Sequence, residues 1–253
     1  MTAFWIRIDR DVISVGGPDA RSYLQSQLSQ DISAMSIGDA LASFVLQPTG
    51  KVEALVRVAC VSNELFTLDV DHGWGDAVMV RLQRFKIRVK ADLNIETRSF
   101  LAYRNCDGEK FEGALPAWRN DGSAFDVMET TATPSVGIRQ GSKAEFDEAR
   151  VRSGWPLMGQ DLTTDMIPGE TGIIDCAVSF TKGCYPGQEL VERMDSRGST
   201  APRMLRVIHA TRDSSAGDDV ILDNLIVGKY TSVTDSFALA LIKRGVDIGK
   251  LEK

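Results

Sequence analysis

The sequence contains few of the residues that most readily build metal sites and catalytic triads. It has two histidines, His72 and His209, and four cysteines in 253 residues. The cysteines are widely spaced and none form a CxxC pair, which indicates reduced thiols rather than a zinc ribbon or a disulfide framework. This usage predicts a cytoplasmic protein without a metal site.

Long apolar runs are also absent. The longest, Ala40–Leu46 and Phe237–Ile242, are far shorter than the roughly 20 residues that a membrane-spanning helix requires. The first residues include Arg7 and Asp9, too early for the apolar region of a signal peptide. The sequence therefore predicts a protein with no membrane partner.

Charge of one sign does not dominate either. The 29 Lys and Arg residues against 35 Asp and Glu residues give a net charge of −6. This mild acidity argues against direct nucleic-acid binding through the overall charge. A hydrophobic content of 43% and a charged content of 25% are those of an ordinary globular chain.

Hydrophobic periodicity predicts alternating strands and helices. Strands are predicted at Phe4–Ile8, Val12–Val15, Ala40–Leu46, Val52–Cys60, Glu64–Val70, Lys86–Lys90 and Ile173–Phe180, and helices after Pro18, at Trp74–Phe85, at Lys143–Arg152 and after Pro186. From Pro202 onward, only short strands are predicted, and consecutive short strands are typical of a small barrel or sandwich. The fold class is therefore α+β.

The segment 179–198, SFTKGCYPGQELVERMDSRG, is the most unusual part of the chain. Cys184 lies in a glycine-flanked turn, two residues after Lys182 and just before a helix that Pro186 can open. The helix dipole and the lysine cation both favour a thiolate over a thiol. The spacing alone leaves open a second interpretation, in which Cys184 is simply a small buried residue.

Residues 182–189, KGCYPGQE, resemble the signature of the YgfZ family of folate-binding proteins, which are relatives of the aminomethyltransferase (T-protein) of the glycine cleavage system. The resemblance covers most of the chain. It includes, outside the signature, Gly17-Pro18-Asp19-Ala20, Pro48, Gly50, Lys51, Arg150, Gly154, Asp161, Pro168 and Glu170.

The resemblance implies an α+β cloverleaf of three modules around a folate pocket, ending in a small β-barrel. We expect an N-terminal module at 1–98, a middle module at 99–200 that carries the signature, and a barrel module at 201–253. The implied function is that of a folate-binding accessory protein in iron–sulfur cluster assembly or repair, which supports iron–sulfur enzymes such as tRNA-modifying ones. Such a factor is more typically non-enzymatic.

The resemblance also implies roles for individual residues. Cys184 would act as a reactive thiolate, and Lys182 would stabilise its charge. Glu170 would recognise the pterin ring of tetrahydrofolate or a derivative, since a carboxylate can pair with an aminopyrimidinone edge. Gln188, Glu189 and Arg193 would complete the folate-binding site. The implied partners are folate and iron–sulfur client or assembly proteins.

A tetrahydrofolate-dependent aminomethyltransferase is the alternative function. The transferases use an aspartate just after the strand corresponding to Glu64–Val70, where this sequence has Asp69 and Asp71. The following His72 and Gly73 depart from the transferase pattern. A cysteine-nucleophile enzyme would need His72 or His209 as its base.

A basic stripe at residues 81–90, RLQRFKIRVK, contains five positive charges and no acid. It is either an anion surface, for a polyglutamyl folate tail, a phosphate or tRNA, or a solvated face of a helix and strand.

The remaining cysteines have structural interpretations. Cys60 and Cys176 are predicted to pack in the core, and Cys106 is predicted to be exposed on a turn.

Overall fold

The computed structural model describes residues 2–106, 113–119, 122–128, 134–135, 137–196, 201–211 and 213–251. In these ranges the chain forms two mainly antiparallel sheets with five α-helices packed around them. The strands are β1 Phe4–Gly16, β2 Ala40–Leu46, β3 Val52–Ser62, β4 Leu65–Asp71, β5 Asp92–Arg104, β6 Ala114–Pro116, β7 Ala124–Met128, β8 Arg139–Gln140, β9 Arg203–His209, β10 Asp219–Leu222, β11 Leu225–Val233 and β12 Phe237–Lys243. The α-helices are α1 Ala20–Gln27, α2 Gly75–Arg84, α3 Lys143–Arg152, α4 Ile174–Ala177 and α5 Gln188–Ser196.

The first sheet has the strand order β2-β3-β4-β1-β5-β7-β6, with β8 added in parallel beside β1. Its centre is β1, which pairs with β5 along its whole length and with β4 along its second half. The main core lies between one face of this sheet, α1, α2 and the loops that follow α3, and includes Leu24, Phe44 and Ile173. Because β5 runs through residue 98, the strand pairing continues across the predicted module boundary there.

The second sheet has the order β10-β11-β12-β9 and forms the terminal half-barrel. One face carries its own apolar cluster around Ile208, Val220 and Ile242. From the other face, Leu205 and Leu239 pack on Val151 of α3. The predicted α+β fold ending in a small β module is therefore confirmed.

Local sequence signals account for the ends of α3. Ser142 Oγ accepts a hydrogen bond from Glu145 N, and a Glu145 side-chain oxygen accepts one from Ser142 N, so the helix begins with a capping box. The helix ends before Gly154, which has a φ of +72° and supplies the left-handed conformation that stops the helix. The predicted bounds of this helix are confirmed.

Two strand predictions are wrong. Residues 86–90 form no strand, because Phe85, Lys86 and Ile87 continue from α2 in turns whose N–H groups donate to Leu82, Gln83 and Phe85 carbonyls.

Ile173–Phe180 is not a strand either, since Ile174–Ala177 forms the short helix α4. Ile173, Ala177 and Val178 are buried in the main core. These apolar side chains therefore leave solvent without the segment joining a sheet. The separate strands predicted at Phe4–Ile8 and Val12–Val15 are one continuous strand, β1.

A buried charge network joins five strands of the large sheet. The Arg10 guanidinium contacts Asp69 and Asp71, Arg57 contacts Asp69 and Asp126 at 2.8 Å each, and Arg104 contacts Asp126 at 2.8 Å. Burial alone would raise the pKa of Asp126, but Arg104 and Arg57 hold it below its ordinary value.

A second buried network joins α3 and the loop that follows it to the terminal sheet. Arg150 of α3 donates to Asp161 Oδ2 at 2.8 Å and to Ser232 Oγ of β11 at 2.9 Å. The other Asp161 oxygen, Oδ1, accepts from Ser232 Oγ at 2.7 Å and from Thr231 Oγ1 at 2.6 Å. Arg150 and Asp161 belong to the segment that resembles the family, and their contacts show that they dock the terminal sheet.

We expect Asp161→Asn to lower the free energy of unfolding by about 3 kcal/mol, because it leaves the buried Arg150 guanidinium without its counter-charge. Urea denaturation followed by circular dichroism measures this loss.

Asp147→Asn is the matched control, since Asp147 pairs with the exposed Lys143 and such a pair contributes less than about 1 kcal/mol. Equal losses in the two variants would contradict a special role for the Arg150–Asp161 pair.

Candidate functional site

The signature segment lies between α4 and α5 and presents Cys184 to solvent. Cys60 and Cys106 are buried, Cys176 is half-buried, and Cys184 is exposed. Within the part of the chain that the structure describes, no atom lies within 4 Å of the position where a side chain at Gly183 would begin, so the backbone next to the thiol is open there. The alternative of a buried small cysteine is therefore excluded for Cys184. The exposure predicted for Cys106 is wrong, since its side chain is 1% exposed and its thiol donates to Arg104 O.

Lys182 points away from solvent into the N-terminal part of the chain. Its Nζ donates to the carbonyls of Gln25 at 2.5 Å, Leu28 at 2.6 Å and Gln30 at 3.2 Å. These carbonyls lie at and just beyond the C-terminal end of α1, where a cation is favoured. Burial lowers the pKa of Lys182 to about 8, although Asp31 opposes this shift.

The predicted partnership of Lys182 with Cys184 is therefore corrected. The hydrogen bonds of its ammonium within the described residues all go to backbone carbonyls, so Lys182 anchors the loop that carries the thiol.

Further hydrogen bonds attach the residues just before this loop to residues 25–30. Ser29 Oγ donates to Ala177 O at 2.7 Å, Ser179 N donates to Ser29 O at 2.9 Å, and Gln30 Nε2 donates to Cys176 O at 3.1 Å. These bonds and the Lys182 ammonium hold residues 176–182 against residues 25–30.

The other end of the loop rests on the turn between β2 and β3. Gly187 has a φ of +86°, and a Cβ there would come within 2.6 Å of Gln47 O. Gly50 has a φ of +84°, and a Cβ there would come within 2.6 Å of Leu190 Cβ. Both positions require glycine, since any side chain would push α5 away from the turn.

An open cleft of about 570 Å³ lies at this junction, beside the first turns of α5. It is lined by Gln188, Glu189 and Arg193, three of the four residues predicted to bind folate, together with Pro48 and Tyr185. Gln188 Oε1 accepts from Tyr185 N at 3.3 Å. Glu189 and Arg193 form an ion pair along the exposed face of α5.

Glu170 lies in a 3₁₀ turn, Pro168–Glu170, that neighbours α5 and β9. Its side chain is buried. Oε1 accepts from Arg203 Nε at 2.8 Å, and Oε2 accepts from Ile167 N at 3.2 Å. The four predicted folate-binding residues thus form two groups, an exposed one on α5 and a buried carboxylate beside it.

Arg203 is the partner that sequence reasoning missed. It follows Glu170 by 33 residues, and no local spacing links the two. The backbone carbonyls that accept from Lys182 lie more than 150 residues away along the chain, and no pattern in the sequence predicts this contact either.

Both candidate residues for one-carbon transfer, Asp69 and Asp71, form ion pairs in the buried charge network. Arg10 contacts both carboxylates, Arg57 holds Asp69, and Met158 N donates to Asp71 Oδ2 at 2.9 Å. Neither carboxylate is free of a cation.

The two histidines have partners of their own. His72 Nδ1 lies 2.8 Å from Asp11 Oδ1, and the His209 ring lies against the Phe237 ring.

The basic stripe is divided by the fold. Arg81 is buried, where it donates to Leu46 O at 2.9 Å and lies over the Phe85 ring. Arg84, Arg88 and Lys90 are exposed. The stripe is therefore partly core and partly a solvated surface.

The ranges that the structure describes contain no group of three or more His, Cys, Asp or Glu side chains placed to hold a metal ion. None of their helices has the length and apolar character needed to cross a membrane.

Comparison with known structures defines the class of fold. The glycine cleavage system aminomethyltransferase T from Bartonella henselae superposes with a TM-score of 0.79 over 96% of this chain and 78% of its own, at 17% sequence identity. The protein therefore has the aminomethyltransferase T fold.

Sequence relatives narrow this class. No family model matches the chain. An uncharacterized protein of Haemophilus influenzae is 26% identical over 87% of this chain and 79% of its own length. The tRNA-modifying protein YgfZ of Photorhabdus laumondii is 24% identical over 84% and 73%. The iron–sulfur cluster assembly factor IBA57 homolog of Chaetomium globosum is 23% identical over 96% and 65%. The chain is a homologue of the YgfZ and IBA57 proteins, which confirms the resemblance seen in its signature.

The rate of alkylation should differ sharply between Cys184 and Cys176. Burial, and next the neighbouring Asp175, raise the pKa of Cys176 to about 11. At pH 8 only about one part in 1,000 of this thiol would be ionised. We expect iodoacetamide to modify the exposed Cys184 first and Cys176 far more slowly, with the rate at Cys176 rising about tenfold per pH unit up to its pKa. Peptide mass spectrometry measures both rates.

Cys184→Ser is the control and should remove the fast-reacting peptide alone. Equal rates at Cys176 and Cys184 at pH 8 would show that the exposure and burial described above do not govern reactivity.

Proposed function

We propose that this protein is a tetrahydrofolate-binding accessory protein that acts in iron–sulfur cluster assembly or repair. It would thereby support iron–sulfur enzymes such as tRNA-modifying ones. The names of its relatives, a tRNA-modifying protein and an iron–sulfur cluster assembly factor, support this role. The T-protein fold supports the folate part of the proposal.

The exposed thiol of Cys184 on a firmly anchored loop is the observation that carries the proposal. A thiolate is the form of cysteine that binds iron or attacks sulfur. The open space at Gly183 lets a partner's backbone or a cluster approach the sulfur closely. Cys184 would act as a transient contact for a cluster or sulfur, or as a redox-sensitive group near the folate.

Lys182 acts in this proposal as a positioning residue. With its ammonium held by three carbonyls, it fixes where the thiol stands and leaves the charge of the thiolate to other groups. Its contacts with residues 25–30 make the position of Cys184 depend on the N-terminal module.

The residues near the signature have the chemistry that folate binding requires. Each oxygen of the Glu170 carboxylate accepts one hydrogen bond and retains a second lone pair, so the carboxylate can still accept from two N–H groups of a pterin edge. Gln188, Glu189 and Arg193 offer an amide, a carboxylate and a guanidinium beside the neighbouring cleft, suited to the polar tail. When bound, the folate would supply a one-carbon carrier or a reduced pterin; the protein residues bind and orient it.

The proposed partners are iron–sulfur client or assembly proteins, in the cytoplasm. The three-module division at 98 and 200 belongs to this proposal, with the folate pocket between the modules. Direct contact with nucleic acid is not part of it, because the exposed cations of residues 81–90 are few and the chain as a whole is acidic.

An aminomethyltransferase activity is less well supported. Proton transfer at the folate would need a carboxylate free to accept a proton, whereas Arg10 contacts both Asp69 and Asp71. We expect no methylene-tetrahydrofolate from an aminomethylated carrier protein. Turnover with such a carrier would support the transferase instead.

Cys184→Ser should abolish the ability of the gene to restore iron–sulfur enzyme activity in a strain lacking its own homologue. The change removes the proposed thiolate and leaves the loop anchors intact. The activity of an iron–sulfur tRNA-modifying enzyme, read from the modified nucleoside content of tRNA, is the measurement.

Cys176→Ser is the matched control, eight residues earlier, and should restore activity as the unchanged gene does. Full rescue by Cys184→Ser would remove the proposed role of this thiol.

Glu170→Gln should weaken tetrahydrofolate binding about tenfold or more, because a charge-assisted hydrogen bond contributes about 1.5–3 kcal/mol. Isothermal titration under anaerobic conditions measures the affinity.

Asp165→Asn serves as its control, since Asp165 also faces Arg203, at 3.7 Å, but is exposed. Unchanged affinity in Glu170→Gln would exclude Glu170 from the folate site, and Cys184→Ser should bind tetrahydrofolate normally.

A further inference from the structure

A small cationic cleft lies at one end of the terminal sheet. It encloses about 130 Å³ between the ends of β9 and β12 and the segment that follows β12. Arg203, Arg206, Lys243 and Arg244 line it, and Ile242 and Ile248 form part of its apolar wall. Among the residues that the structure describes, no Asp or Glu lines this cleft.

Strand pairing concentrates this charge. The register places Arg203 directly opposite Lys243, and Arg244 N donates to Pro202 O at 2.9 Å, which keeps the next cation at the same edge. Like charges opposite each other in a sheet are destabilising. The ion pairs of Arg203 with Glu170 and Asp165 offset this repulsion.

Arg206 is the cation with the most free donors. Its side chain is exposed and has no hydrogen bond or ion pair with any residue that the structure describes. Lys243 Nζ donates to Ile226 O at 2.7 Å and retains two further N–H groups. A guanidinium presents a planar pair of donors that matches an oxyanion.

The size of the cleft restricts the ligand. Sites for drug-sized molecules are about 300–1,000 Å³, so this cleft is too small for a nucleotide or a pterin. It can take one oxyanion group attached to a short apolar body. The Arg206 guanidinium would face the oxyanion, and the isoleucines would contact the apolar body.

We propose that this cleft binds a small organic oxyanion, a phosphate or carboxylate group on a short aliphatic chain, with the anionic group on the Arg206 guanidinium. The site is separate from the signature loop and does not rest on the proposed function, although Arg203, which lines it, also holds Glu170. A ligand that binds only the folded protein would also stabilise the fold.

Titration of the full chain with n-propyl phosphate, inorganic phosphate and butyrate, at constant ionic strength, tests the proposal. We expect saturable binding of one n-propyl phosphate, tighter than that of inorganic phosphate because of the apolar wall. Comparison with butyrate then decides between the phosphate and carboxylate classes. Arg206→Gln should weaken binding about tenfold or more, through loss of a charge-assisted hydrogen bond.

Lys229→Gln is the matched control, because Lys229 is an exposed cation of the same sheet that does not line the cleft. The affinity of the Lys229→Gln variant for n-propyl phosphate should equal that of the unchanged protein. Since Arg206 makes no bonds within the described fold, Arg206→Gln should fold normally, which thermal unfolding checks. The absence of saturable binding, or equal affinities of Arg206→Gln and Lys229→Gln, would overturn the proposal.

Discussion

The burial of the Lys182 ammonium under three backbone carbonyls is the interaction on which the signature loop depends. An ammonium leaves water only when its protons find acceptors, and Gln25, Leu28 and Gln30 supply them at the end of α1. Because those carbonyls belong to the N-terminal part of the chain, the loop is held by a region more than 150 residues away. The thiol therefore has a defined position although it is exposed.

Two glycine contacts complete this constraint. Gly50 and Gly187 let the β2–β3 turn and the start of α5 approach closely, so the loop is held at both ends. Two networks of buried charges hold the terminal sheet and the strands of the large sheet in place around this loop. Arg150 and Asp161 dock the terminal sheet on α3, and the arginine–aspartate network occupies Asp69 and Asp71. The aminomethyltransferase T fold is thus combined here with arginine-paired carboxylates at Asp69 and Asp71 and with an exposed cysteine.

Much of the fold was accessible from the sequence, because most elements carry strong local signals. The capping box and Gly154 delimit α3, and the Gln47–Lys51 turn separates two strongly apolar strands. The prediction failed at Ile173–Phe180 and Lys86–Lys90, where short apolar or alternating runs fit either a strand or a packed loop. Burial in the main core decided the first case, and continuation of the turns after α2 decided the second.

For the site, the sequence by itself determined the chemistry: which segment is unusual, which cysteine is flanked by glycine, and which residues resemble the family signature. Only the tertiary structure decided what these residues contact. Lys182 anchors the loop instead of pairing with Cys184, Glu170 is held by Arg203, and Arg81 of the basic stripe is buried. The physical reason is that hydrogen bonds and ion pairs of buried charges join residues far apart in the chain, and spacing along the sequence carries no record of such partners.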